Sequence, residues 1–131
     1  MTLFKEPKPK EKIRLSTIEK KQENSQQKQY ESILEETCII ESEEYISYDL
    51  DLGANEVVKG EITSDKEINV FFLTKHGFRC FENGEDFSYE YGAENVLEKR
   101  ITFQPSRTAR RYLVVENEGE DSAEVVIHLF V

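Results

Sequence analysis

The stretch "EYISYDLDLG", residues 44–53, decides the fold. Ile46, Tyr48, Leu50 and Leu52 fall on one side of an extended chain, and Ser47, Asp49 and Asp51 on the other. That period of two belongs to a strand with one buried face. Carried on to Glu56, the same run sets carboxylates two apart ahead of a glycine, as some calcium loops do. An EF-hand loop needs glycine at its sixth position and a bidentate glutamate at its twelfth. Counted from Asp49, the glycine arrives at position five and position twelve is Gly60, so the spacing favours a strand running into a turn.

The alternation recurs downstream. "EVVKGEITS" from residue 56 puts Val58, Gly60 and Ile62 on one side, and "EINVFFLT" from residue 67 is apolar on both, as in a central strand or one covered by a loop. "SDK" between them reads as a tight turn. "LEKRITFQ" from residue 97 alternates until Pro105, which cannot donate to a ladder. Then come "RRYLVVEN", the turn "EGED" and "SAEVVIHLFV", in which Ala123, Val125, Ile127, Leu129 and Val131 line up. With "TCII" near residue 38 there are seven candidate strands at short spacing. They predict an all-β protein, an antiparallel β-sandwich of about seven to eight strands spanning residues 36–131, rather than a βαβ arrangement. Residues 75–95, "KHGFRCFENGEDFSYEYGAEN", are the irregular part, with a helical turn expected near residues 78–82 and aromatics suited to packing on the sheet.

Residues 1–35 read as a charged N-terminal extension. They are poor in large apolar side chains, so the extension is expected to be disordered or partly helical. Ser16 and Glu19 offer a capping box for a helix running into "ESILEE". The net charge of −10 is unevenly placed. Residues 1–30 hold eight basic and four acidic groups, net +4, whereas residues 31–131 hold nine and twenty-three, net −14. A domain this acidic repels phosphate backbones, which argues against nucleic-acid binding by the folded part.

No apolar run reaches the roughly 20 residues of a membrane-spanning helix, and the N-terminus lacks the apolar stretch of a secretory signal. A cytoplasmic protein without membrane insertion is expected. Cys38 and Cys80, far apart and outside any CxxC pair, are expected to be reduced thiols, with reactivity at Cys80 left open by its neighbour Arg79.

With the strands laid out, "YDLDLGANEVVKGEITSDKEINVFFLTKHGFRCFENGE" followed by "ITFQPSRTARRYLVVENEGEDSAEVVIHLFV" resembles the GOLD-type β-sandwich, a pattern that pre-peptidase C-terminal domains largely share. The marks are a strand ending at Leu52 and Gly53, "VVKGEITSD" leading into "INVFFL", and Tyr112 to Asn117 ahead of a polar turn. Cargo-receptor members carry a disulfide cysteine in that late strand, and "YLVVEN" has none. The resemblance implies a non-enzymatic module that binds proteins or other ligands through loops and sheet faces.

The residues themselves point the same way. His76 and His128 lack HxH or HExxH companions, and no GxSxG, GxGxxG or GxxxxGK motif is present, so neither a catalytic set nor a cofactor site can be assembled. The expected role is an interaction module binding a protein partner or a second copy of itself through Phe78, Arg79 and Phe81 and through Arg107, Arg110 and Arg111 of the "PSRTARR" corner. The alternative is a small-ligand or carbohydrate-binding sandwich, with calcium at Asp49, Asp51 or the acidic loop of residues 82–86.

Overall fold

A computed structural model of the protein describes residues 31–131. The helix expected from Ser16 and most of the charged extension therefore lie outside the described residues. Six strands and one helix follow: β1 (Ser32–Ile40), β2 (Glu44–Leu52), β3 (Val58–Leu73), α1 (Lys75–Glu82), β4 (Tyr91–Phe103), β5 (Ala109–Asn117) and β6 (Ala123–Phe130). All pairings are antiparallel. The strand order is β1-β6-β3-β5-β2, with β4 added on β3. The first strand begins at Ser32, so residues 32–35 belong to the sheet rather than to the extension.

The expectation of seven to eight strands is corrected to six, because the "SDK" turn does not reverse the chain. Residues 58–73 form one long strand, and the surplus residues appear as an irregularity in its pairing with β4 between Thr63 and Ile68. Polar side chains there serve other ends: Ser64 Oγ accepts from the Lys66 amide at 3.2 Å, and Asp65 accepts from the Glu124 amide at 2.8 Å. The first half of β3 pairs with β6 and the second half with β5, while β4 follows both. One strand thus links two halves of a curled sheet.

Two glycines make that curl possible. A Cβ on Gly60, whose φ is +148°, would lie 2.0 Å from the carbonyl oxygen of His128; on Gly92, with φ +158°, it would lie 2.1 Å from that of Val70. Only a residue without a side chain fits such a backbone and such an approach.

Side chains from all six strands meet in one core, among them Ile40, Tyr48, Ile62, Phe72, Ile101, Leu113 and Ile127. Each such burial stabilises the fold by about 1.5–3 kcal/mol. A smaller cluster of Phe71, Leu73 and Val114 lies on the other face of β3 and β5, under Tyr45, Phe78, Phe81, Phe87 and Tyr112. The doubly apolar "VFFL" is explained: Phe72 enters the core and Phe71 the second cluster.

That second cluster is roofed by α1 and residues 83–90. Thr74 caps the helix, its Oγ1 accepting from the Gly77 amide at 3.1 Å. Eight residues are too few for a self-sustaining helix, so packing must hold it. Phe78 stacks on Tyr112 with centroids 4.5 Å apart, and Phe81 meets Tyr45 edge-on at 4.9 Å. Beyond the helix, β4 starts at Tyr91, six residues before the alternation visible in sequence. Among the described residues no helix is long and apolar enough to cross a membrane.

Candidate functional site

The roof over the second cluster leaves a hollow of about 410 Å³ beside it. Strand alternation supplies its floor. Asn69 and Phe71 project from β3 on the face away from the core, next to Glu116 of β5, which is the register partner of Asn69. Phe81, Phe87 and Tyr89 line it from the roof; Phe71 stacks on Tyr89 at 4.8 Å and meets Phe87 edge-on at 5.2 Å. Its polar lining is Glu85, Asp86, Glu94, Glu116 and Glu118.

Asn69 organises these carboxylates. Only 5% exposed, it uses one amide group to donate to both Glu116 at 3.0 Å and Glu118 at 3.1 Å, while its Oδ1 accepts from the Asn95 amide at 2.9 Å. Two like charges are thereby held side by side. Burial raises the pKa of Glu116, the Asn69 hydrogen bond opposes that rise, and the charges of Glu118 and Glu94 add to it. Among the described residues no lysine or arginine forms an ion pair with any of the five carboxylates. Nor do three His, Cys, Asp or Glu side chains among the described residues gather as a metal ion requires. Aromatic surface beside unneutralised carboxylate suits an ammonium or guanidinium group, which gains Coulomb attraction from the carboxylates and cation–π contact from the exposed Tyr89 ring.

The residues singled out from sequence are dispersed by the structure. Phe78 and Phe81 are half-buried roof packing, although Phe81 also lines the hollow. Arg79 and Arg107 are exposed. Arg110 is exposed but pairs with Asp51 at 3.0 Å and Asp49 at 3.6 Å, so a guanidinium occupies the position considered for calcium, and these carboxylates hold the arginine firmly protonated. Arg111 is 2% exposed, on the core side of β5. Its Nε lies 2.5 Å from Glu90 Oε1, and it also donates to the Arg107 carbonyl at 3.3 Å. As a contact for a partner, Arg111 is corrected: it is an internal residue in this fold.

Sequence reasoning missed Asn69, Glu94, Glu116 and Glu118, which come from three strands and the turn after β5. One signal was available, a polar Asn69 on the same side of a strand as Phe71 and Leu73.

Other features are simpler. His76 Nε2 is 3.6 Å from Cys80 Sγ on successive turns of α1, and His128 is 3.5 Å from Glu35. Cys38 packs against the core, and desolvation pushes its thiol to about 11. A second hollow of about 590 Å³ lies on the outer face of β4, β3 and β6, lined in part by Lys59, Glu61, Arg100, His128 and Phe130. Compared with known proteins, the chain matches no family model and no curated relative.

Proposed function

We propose that this protein is a non-catalytic interaction module that binds a basic segment of a protein partner in the hollow beneath α1. The observation that carries this reading is the Asn69 clamp: it fixes two carboxylates together, over aromatic surface, with no cation beside them among the described residues. A lysine or arginine side chain is the group such a setting stabilises most. The reading retains the interaction role expected from sequence and moves its centre from the arginine corner to the acidic hollow. The fold, read as a GOLD-type sandwich, agrees with a binding role. In its support, Asn117 at the end of β5 is buried and donates to the carbonyls of Ile40 and Asp121 at 2.9 and 2.8 Å, tying the late polar turn to β1.

Calorimetric titration with octalysine at low salt tests this. The native protein should bind, and Glu116→Gln with Glu118→Gln should weaken binding about tenfold, the worth of roughly 1.4 kcal/mol. Equal affinity of the two proteins would remove the hollow as the site.

A further inference from the structure

β1, β6, the first half of β3 and the second half of β4 form a four-stranded layer, and the second hollow lies on its outer face. Strand register sets one row of side chains straight across that layer. Glu35 of β1 stands opposite His128 of β6, His128 opposite Glu61 of β3, and Glu61 opposite Arg100 of β4. Paired residues of antiparallel strands point to the same side, and here that side is outward, because the intervening Ile62, Ile101 and Ile127 enter the core. The row runs carboxylate, imidazole, carboxylate, guanidinium. Turned end for end, it offers a complementary partner to itself.

We infer that this face docks on a second copy of the chain, with Glu35 of each copy against Arg100 of the other and His128 of each against Glu61 of the other. The symmetry is a twofold axis between the two faces, parallel to the strands and midway between β6 and β3, the arrangement of an isologous dimer. The next row obeys it too. Thr37, Val126, Thr63 and Glu98 are register partners in turn, and the same axis sets Thr37 against Glu98 and Val126 against Thr63. Neither row opposes like charges. That is a specific property in a domain of net −14, most of whose surface repels a copy of itself.

Apolar surface accompanies the charges. Among the described residues four large apolar side chains are exposed, and two of them, Ile39 at 62% and Val126 at 44%, lie on this face. Facing sheets pack about 10 Å apart with interleaved side chains, and the hollow of about 590 Å³ gives the second copy's long side chains room to enter. Four strands cover on the order of 500 Å² per copy, less than the roughly 800 Å² of a firmly held interface, so the dimer is weak, with a dissociation constant on the order of 0.1 mM. This contact is separate from the hollow beneath α1 and does not depend on it.

Sedimentation equilibrium of the full chain, from about 10 µM to about 1 mM in 0.15 M salt, tests the inference with Glu35→Arg and Arg100→Glu, two exposed positions. The native protein should show a concentration-dependent dimer. Either variant alone places like charges opposite each other twice in the twofold contact and should weaken self-association about thirtyfold. An equimolar mixture of the two should recover it, because the introduced arginine then faces the introduced glutamate while the native Glu35 and Arg100 face each other; that recovery also shows both variants to be folded. A native protein that stays monomeric throughout, single variants that associate as the native protein does, or a mixture no stronger than its components overturns the inference.

Discussion

Arg111 Nε lies 2.5 Å from Glu90 Oε1, one partner 2% exposed and the other 23%. Arg111 takes a core position on β5 in line with Leu113 and Val115, and its guanidinium runs out to a carboxylate that also accepts from Ser106 at 3.0 Å. The pair joins the stretch after α1 to β5. Removing one partner of an enclosed pair leaves a charge without compensation. Arg111→Ala should therefore cost about 3 kcal/mol in chemical denaturation. Glu90→Gln should cost a similar amount, because it leaves the enclosed Arg111 guanidinium without its counter-charge. A loss below about 1 kcal/mol for Arg111→Ala would mean the pair is a surface contact only.

The two glycines at the curl give a second prediction. Gly60→Ala and Gly92→Ala each place a methyl within 2.0–2.1 Å of a neighbouring strand's carbonyl oxygen. Neither position can relax without moving backbone, so each substitution should destabilise by about 2–4 kcal/mol, near the upper end for single replacements. Gly84→Ala, whose Cβ would meet nothing within 4 Å though its φ is +74°, should cost only about 1 kcal/mol. Melting temperatures of the three variants rank them.

Tyr91 guards a sheet edge. Its hydroxyl donates to the Arg100 carbonyl at 3.2 Å and accepts from the Thr102 amide at 2.9 Å, occupying backbone groups that β4 does not give to β3. Lys99 adds a cation 4.8 Å from the ring centroid. Edges blocked in this way resist pairing with other chains. Tyr91→Phe should lose about 1 kcal/mol of stability and increase light scattering on prolonged heating. An unchanged aggregation rate would show the hydroxyl to be dispensable as a guard.

Cysteine reactivity should separate the two thiols. Desolvation holds Cys38 at about 11, so at pH 8 a thiol reagent should modify Cys80 well before Cys38 in the folded protein. Because the folded-state value lies above the ordinary thiol value of 9.0, Cys38 stabilises the fold fully below pH 9 and loses that contribution as pH rises towards 11. Cys38→Ala should flatten this part of the stability profile relative to the native protein. Equal labelling rates for both thiols would contradict the packing described for β1.

Much of the fold was legible because the sheet has a buried face and an exposed one. In β2 and β6 the alternation read directly, and Pro105 marked the end of β4 within two residues. The misreadings share one cause, that local signals gave way to pairing partners distant in sequence. "SDK" has turn composition, yet β6 and β4 hold both flanks of it in one strand. Tyr91 to Val96 look irregular because Gly92 and acidic residues interrupt the pattern, and only pairing with residues 68–72 makes them strand. Arg111 looked like surface because arginine usually is; its partner Glu90 stands twenty-one positions away and only the fold joins them. The hollow was illegible for the same reason, since its carboxylates are ordinary surface residues until Asn69 gathers two of them.

The central claim is that the hollow beneath α1 receives a cationic segment. Backbone amide shifts recorded while octalysine is added to the full-length protein at low salt test it most directly. The account predicts that the largest changes cluster at Asn69, Gly84, Phe87, Asn95 and Glu116, and that they fade at 1 M salt, where the screening length is about 3 Å. Changes centred on Glu61, Arg100 and His128 of the other hollow, or no localised changes at all, would contradict it.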